Sequence, residues 1–546
     1  MKKVIILSCL LLAGIYASAK DRTWAEKQTI ALKTIEATGT KTRTGKVQLS
    51  ELYSTSTLSI IGNEELGFVV ISNNDVCQPV LGYSTTLFNK DDISGGMLWW
   101  LNAITEVMET PSNKFTALDF LVSSQEFAPE VKPLITTSWN QGNPYNYLCP
   151  PMASRGNYPS GCVATALSQI MNYHKYPNHG KGAYSYVFRP DDATAQQLTA
   201  NFEETYYDWN NMLDSYSKGY SDVQRDAVAT LMLHCGISVQ MAYTSTGSGA
   251  YAVEATNALR TYFRYNENVR LYDRRFYTAE LWMQMLYTEL NNKRPVYYKG
   301  VDTTNGGHAF VVDGYDKDGL VHVNWGWGGK NDGYYDIALL NPSGNKFTDQ
   351  QGMIINICTP ELDTTEYGSQ LGSDGLSINL YGSTTKRLSL SAQVYAIGAD
   401  DFEGNVAAIL QNSDTTIIAK IQEGVMLHPA SLGFMQGVNI ALRSIDITDI
   451  SDGSYRVFMG CKCEKDTKWQ LVRPFEGKTN SCILVKSGSD YSFTEVTDDV
   501  WTGIVPPQKV ISTNHRIYDL QGRNLDTCPS DTRKGIYIIG RKKVLK

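Results

Sequence analysis

Cys162 stands where a thiol would be reactive. In Tyr158-Pro-Ser-Gly-Cys-Val-Ala-Thr-Ala-Leu-Ser-Gln-Ile-Met-Asn-Tyr-His it opens an amphipathic segment. At a helix N-terminus a thiol meets unpaired backbone N–H groups and the positive end of the dipole, and both favour the thiolate, the form that attacks a carbonyl carbon. The plainer reading is a buried cysteine acting as a small hydrophobe, so the rest of the chain must decide. A thiol nucleophile needs a base, and the chain has seven histidines. His174 and His179 follow Cys162 at the far end of the same segment and in the loop beyond, out of reach of its start. His308, in Asn305-Gly-Gly-His-Ala-Phe-Val-Val-Asp-Gly-Tyr, is the better candidate, because Gly306 and Gly307 leave room for a substrate backbone beside it. Upstream, Thr137-Ser-Trp-Asn-Gln-Gly-Asn-Pro-Tyr-Asn offers Gln141, whose amide could donate to the oxygen of an attacked carbonyl beside the Cys162 N–H.

These groups need elements to hold them. Val163, Ala166, Leu167, Ile170 and Met171 recur at helical spacing and form one apolar stripe, Ser160 and Gly161 are tolerated at its start, and Pro177 closes it. From His308 runs a β-rich stretch. Asp316-Lys-Asp-Gly then reads as a four-residue turn, and Leu320-Val-His-Val-Asn-Trp as the returning strand. If Tyr315 faces Leu320 in this hairpin, His308 lies opposite Trp327 and diagonal to Trp325, with all three side chains on one face. Trp325 is then the first choice for holding the imidazole, and its indole face could stabilise an imidazolium by about 1 kcal/mol. Asn324 is the other candidate, although it falls on the opposite face unless a bulge intervenes. His322, mid-strand, has the parity of a structural histidine.

Trp139-Asn-Gln-Gly-Asn-Pro-Tyr-Asn, Gly161-Cys-Val-Ala-Thr-Ala followed by Tyr173-His-Lys-Tyr-Pro, Gly307-His-Ala-Phe-Val-Val-Asp-Gly-Tyr and Val323-Asn-Trp-Gly-Trp-Gly-Gly, in this order, resemble the streptopain-like cysteine peptidases, a papain-fold family. The resemblance implies a secreted endopeptidase made as a zymogen, with Cys162 as nucleophile, His308 as general base and acid, and Gln141 as oxyanion donor. It also implies that the Trp325 region stands where papain itself keeps an asparagine. Cys235-Gly-Ile-Ser-Val-Gln-Met-Ala-Tyr and Thr244-Ser-Thr-Gly-Ser-Gly-Ala are similar to segments that help line the substrate cleft in such enzymes. Around Ser248 the Gly-Ser-Gly loop offers backbone with which an extended peptide could pair. Ser248, Gly306, Gly307 and Trp327 are therefore the expected substrate contacts. No metal or organic cofactor is expected. The partners implied are protein or peptide substrates and the chain's own propeptide, acting as an intramolecular inhibitor. Two rival readings are a papain-fold acyltransferase, with the same thiol and imidazole but water excluded, and a non-catalytic surface adhesin.

Composition narrows the setting. Met1-Lys-Lys, an apolar run and Ala17-Ser-Ala read as a secretory signal peptide over residues 1–19, which predicts secretion or a bacterial cell-surface location, and the run is too short for a lasting membrane span. A formal charge of −7 with 19% charged residues gives no electrostatic footprint for nucleic acid. Ten cysteines in 546 residues are not a disulfide-framework density, although Cys461, Cys463 and Cys482 are candidates for pairing. Thirty-three tyrosines and 45 glycines favour a strand-rich exported protein. The expected class is α+β. By the same resemblance, an α+β inhibitory propeptide over 20–130 is expected to precede a two-lobed papain-like peptidase over 131–359, helical in its first half and β-rich in its second. An all-β sandwich over 360–500 and a tail over 501–546 follow. The tail, with Ile517-Tyr-Asp-Leu-Gln-Gly-Arg-Asn and Lys534-Gly-Ile-Tyr-Ile-Ile-Gly, resembles C-terminal sorting segments of the type IX export pathway.

Overall fold

The computed structural model describes residues 20–39, 48–109, 127–338, 351–365, 371–429 and 436–497, apart from short gaps at 64, 76, 155, 191–193, 303–305 and 465, plus the backbone of four short strands between 517 and 545. The expected signal peptide lies outside the described residues, as do the side chains of the tail. The chain is mixed α and β with strands in the majority.

Hydrophobic runs bounded by turns become β2 (Leu58–Asn63), β3 (Gly67–Ser72) and β4 (Val80–Ser84), which with the more polar β1 (Ser50–Ser54) form an antiparallel meander behind α1 (Trp24–Ala37). Thr23 and Glu26 close a capping box on α1, each bonding the other's backbone N–H. The apolar segment Met97 to Met108 lies in α2 (Gly95–Glu109).

The next helices are α3 (Cys162–His174), α4 (Asp222–Ser238) and α5 (Ala252–Thr261), with a hairpin of β5 (Ala183–Phe188) and β6 (Gln196–Asn201) between α3 and α4. Then come β7 (Arg270–Asp273), α6 (Ala279–Asn291), β8 (Val296–Asp302), β9 (Gly306–Tyr315), β10 (Val321–Asn324), β11 (Gly333–Tyr335) and β12 (Gly352–Ile355). From α3 onward, helices therefore predominate before β7 and strands after it.

One sheet runs from the N-terminal unit into the strands β7 to β12. Among the described residues its order is β1-β2-β3-β4-β11-β10-β9-β8-β12-β7. The join is antiparallel, with Tyr83 opposite Tyr334 and Gly82 opposite Tyr335. Both faces of its centre are buried, so β9 and β12 are apolar at successive positions instead of alternating. Phe310, Val312 and Met353 face a core built with α2 and α6, which supply Trp99, Trp100 and Leu286. Ala309, Val311 and Ile354 face a second core with α3, α4 and α5.

The β9–β10 hairpin differs from expectation by one residue. Val321, not Leu320, faces Tyr315, because the Asp316 carboxylate accepts from the N–H groups of Asp318 and Leu320 and lengthens the turn. A bulge between His322 and Val323 absorbs the extra residue, so Asn324 lies opposite Val311, as the shorter turn would have placed it.

Beyond β12, two mainly antiparallel sheets share one core. The first contains β13 (Leu371–Ser373), β14 (Ser377–Tyr381), β15 (Arg387–Ala396), β18 (Gly437–Asp446) and β21 (Arg473–Pro474). The second contains β16 (Phe402–Gln411), β17 (Thr416–Leu427), β19 (Gly453–Cys463), β20 (Gln470–Leu471), β22 (Ser481–Ser487) and β23 (Asp490–Val496). Leu388 and Val394 from one and Val406 and Val457 from the other meet between them. Phe276 against Phe475, with ring centroids 5.1 Å apart, and Arg274 with Glu476 at 3.1 Å fasten this unit to the turn between β7 and α6. Among the described residues the cysteines form no disulfide, and no helix is long and apolar enough to cross a membrane.

Candidate active site

α3 starts at Cys162. Its N-cap, Gly161, makes no side-chain cap bond and has φ of 89°, left-handed backbone that favours glycine. A Cβ there would lie 2.8 Å from both the Ser248 carbonyl oxygen and the Met241 sulfur. This left-handed entry delivers the half-buried thiol to the start of β9, where it hydrogen-bonds the His308 ring and the backbone N–H groups of Ala309 and Val163. Burial pushes the Cys162 thiol up, but the His308 bond and charge with the two backbone donors outweigh it, and the thiol ionises below its ordinary range. For His308 burial favours the neutral ring, whereas the Cys162 bond and charge and the Trp325 backbone favour the cation and win, so its pKa is raised. Each partner thus stabilises the charged form of the other, the condition for a thiolate–imidazolium pair.

Nε2 of His308 meets two groups of opposite character. The Trp325 carbonyl oxygen lies 2.9 Å away and can only accept. Nε1–H of Trp327 lies 3.2 Å away and can only donate. One nitrogen cannot serve both, so the imidazolium bonds Trp325 and a ring with a bare Nε2 bonds Trp327. Trp325 therefore meets the imidazole with its backbone carbonyl and not with its indole. Its indole packs on Phe310 and Tyr335, with centroids 4.7 and 5.3 Å away, and donates to the Asn331 carbonyl. The Trp327 ring is 6.0 Å from the imidazole at 37°, so the indole that faces His308 belongs to Trp327, a correction to the expected Trp325 cation–π contact. Asp332, which sequence reasoning did not single out, accepts the Trp325 N–H at 2.8 Å.

Asn324 does not reach the imidazole. Opposite Val311, on the helical side of the sheet, it bonds Gln169 and the Thr137 carbonyl instead. Gln141 is buried, and its backbone carbonyl accepts from Ser160 N at 2.9 Å, two residues before Cys162. That hook places the Gln141 segment beside the helix start. Ser248 donates its hydroxyl to the Pro159 carbonyl at 2.7 Å, so the Gly-Ser-Gly loop is tied to the segment leading into Cys162. Gly306 and Gly307 open β9 and are exposed, and a Cβ on Gly306 would meet nothing within 4 Å. His322 bonds Asp313 at 2.6 Å and is structural, in line with its parity. His174, packed against Tyr173 and Tyr265, is held neutral by burial, with its pKa lowered to about 4.

The N-terminal unit reaches this point. A Cβ on Gly95 would come within 3.6 Å of the Trp327 ring, the Ser94 N–H donates to Asn331 Oδ1 at 3.2 Å, and Asp92 pairs with Lys330. Beside Trp327 opens a cavity of about 770 Å³, walled by Asn140, Tyr145 and Tyr216 on one side and by Thr86, Asn89 and Asp92 on the other. Among the described residues no cluster of three or more His, Cys, Asp or Glu side chains could hold a metal ion.

The family model described as the peptidase C10 family matches residues 139–335, a span that contains both Cys162 and His308. Streptopain of Streptococcus pyogenes is 35% identical over 317 residues, which cover 55% of this chain and 78% of that protein. The thiol protease/hemagglutinin PrtT of Porphyromonas gingivalis is 32% identical over 314 residues, 53% of this chain and 36% of that protein. Among solved structures, a prointerpain A fragment from Prevotella intermedia is 41% identical and superposes with a TM-score of 0.51, covering 57% of this chain and 98% of the fragment. With a thiol and an imidazole raising each other's charge in the matched span, the chain belongs to the peptidase C10 family and is a cysteine-type peptidase.

Proposed function

We propose that the chain is an exported endopeptidase made as a self-processing zymogen, with Cys162 as nucleophile and His308 as general base and acid. The observation that carries this reading is the Cys162–His308 hydrogen bond, with the imidazole braced from behind by the Trp325 carbonyl. The Cys162 thiolate attacks a peptide carbonyl carbon, and the oxygen takes up the negative charge. The Gln141 amide and the Cys162 N–H, which as a first-turn group has no partner within the helix, donate to that oxygen. His308 gives its proton to the departing amine, leaving an acyl-enzyme. The neutral imidazole then takes a proton from water, whose oxygen displaces the thiolate and restores the pair.

In this reading residues 1–19 are the signal peptide and 20–130 the propeptide. A two-lobed papain-type peptidase over 131–359 carries Cys162 on the helical lobe and His308 on the sheet lobe. The sandwich over 360–500 stays attached, and the tail over 501–546 acts in sorting. Substrate lies over Gly306 and Gly307, against the Ser248 loop, with its leaving-group side at Trp327. The similarity to a solved structure named prointerpain supports the zymogen assignment, as does α2 lying against Trp327.

The test is to purify the full chain and its Cys162→Ala variant under reducing conditions. The wild type should shed its N-terminal unit and hydrolyse casein, while the variant stays whole. Equal shortening of both would refute self-processing, and transfer of the acyl group to an added primary amine in place of hydrolysis would favour the acyltransferase.

A further inference from the structure

Gln169 lies on α3 two turns after Cys162 and is fully buried. A buried amide is costly unless its donor and acceptor sites are filled. Here they are filled from three directions. Oε1 accepts from the Thr137 hydroxyl at 2.9 Å, the Trp139 N–H at 3.2 Å and Asn324 Nδ2 at 3.2 Å. Nε2 donates to Asn324 Oδ1 at 3.0 Å. Asn324 completes the network by donating to the Thr137 carbonyl at 2.7 Å and accepting from Gly326 N at 3.0 Å.

Each segment joined here carries one part of the site. α3 carries the thiol. Thr137 to Trp139 lead directly into Gln141. Asn324 and Gly326 flank Trp325, whose carbonyl oxygen bonds His308 Nε2. A shift of any one segment relative to the others would stretch a bond to the same amide. The side chain must accept several N–H or O–H groups and donate to Asn324 Oδ1, a combination that carboxylate or aliphatic groups of similar size lack.

We propose that Gln169 is the positioning residue of this active site: it sets the placement of the Cys162 thiol relative to the Gln141 amide and to the Trp325 carbonyl that orients His308. The proposal rests on the reading of Cys162, Gln141 and His308 given above. Reacting groups misplaced by about 1 Å can cost on the order of 100-fold in rate, so the effect should appear in turnover and in thiol ionisation, and only weakly in substrate affinity.

The experiment compares full-length wild type with Gln169→Leu, Gln169→Glu and Thr137→Val, and with Ser168→Ala as the neighbouring control. Ser168 is equally buried on the same helix but bonds Cys235, outside the network. Each is measured for kcat and KM on a fluorogenic peptide, for the pH midpoint of Cys162 alkylation by iodoacetamide, and for thermal unfolding. Gln169→Leu should lower kcat roughly 30-fold or more with KM within about threefold, and raise the alkylation midpoint toward an ordinary thiol. Gln169→Glu, which keeps the acceptor but loses the donor, should fall short of wild type in the same two readouts. Thr137→Val removes one bond and supplies a milder variant should the Gln169 substitutions not fold; it should lower kcat a few-fold with the midpoint moving the same way. Ser168→Ala should leave kcat and midpoint unchanged whatever its melting temperature. An unshifted midpoint and unchanged kcat in a folded Gln169→Leu, or in Thr137→Val if that alone folds, would overturn the proposal. So would an equal kcat loss in Ser168→Ala. Absence of peptide hydrolysis by the wild type would refute the peptidase mechanism instead, and the alkylation midpoints would still decide the role of Gln169.

Discussion

Gly96 faces His308 so closely that a Cβ built on it would lie 2.4 Å from Cδ2 of the imidazole, and as close to Cε3 of Trp325. α2 therefore meets the imidazole through a hydrogen atom, and no larger residue fits without moving one side or the other. Gly96→Val should loosen the N-terminal unit by about 1–3 kcal/mol, the usual penalty of overpacking. Thermal unfolding in a Cys162→Ala background checks the loss of stability, and an otherwise wild-type chain should reach full activity after a shorter lag. An unchanged melting temperature would show that the fit is looser than the contact implies.

The mutual pKa shifts of Cys162 and His308 fix the direction of a pH experiment. The thiol is lowered and the imidazole raised, so alkylation of Cys162 by iodoacetamide should begin well below the pH at which an ordinary thiol reacts. In His308→Ala the lowering bond and charge are gone while much of the burial stays, so the midpoint should move above the ordinary thiol range. Peptide hydrolysis should fall by about 100-fold or more. A midpoint indifferent to His308 would mean the two groups are not coupled.

Trp327→Phe removes the donor at His308 Nε2 and leaves the Trp325 acceptor in place. The lost bond favoured the neutral ring, so the imidazolium should persist to higher pH and the alkaline limb of kcat/KM should move upward. The rate at the optimum should fall roughly fivefold, the equivalent of about 1 kcal/mol for one hydrogen bond. A downward move of the limb would reverse the assigned role.

Asp332 accepts the Trp325 N–H, and burial, only partly offset by that bond and by His322, pushes its carboxyl up to about 7. The folded chain thus holds a proton that the unfolded chain releases near the usual carboxylate value. The stabilisation this gives is fully present below about pH 4 and is lost as the pH rises through about 7. The melting temperature of the Cys162→Ala chain should accordingly drop between about pH 4 and 7 and level off above that, and Asp332→Asn should flatten the drop.

Much of the site is legible along the chain because its signals are local. The apolar stripe from Val163 to Met171 defines α3, and the two glycines before His308 mark an open strand start. The hairpin register is missed by one residue at the turn because it depends on Asp316 folding its carboxylate back onto two N–H groups, which spacing does not reveal. The role of Trp325 is half legible: parity finds the residue, but a backbone carbonyl carries no side-chain signature. Gln169 leaves no trace in the pattern, since a glutamine inside an amphipathic helix reads as solvated until its partners, from segments far apart in sequence, are brought to it. The join of β4 to β11 is hidden for the same reason, because strand pairing over such a separation is written in no local period.

In the proposed zymogen, that join changes what activation has to accomplish. A cut between α2 and Val131 would break the chain yet leave β1–β4, α1 and α2 joined to the remainder, through the β4–β11 pairing and through Trp99 and Trp100 in a shared core. Scission and release are therefore separate events, and the nicked but undissociated complex is a species of its own, whose lifetime sets the interval between the first protease encounter and the first turnover.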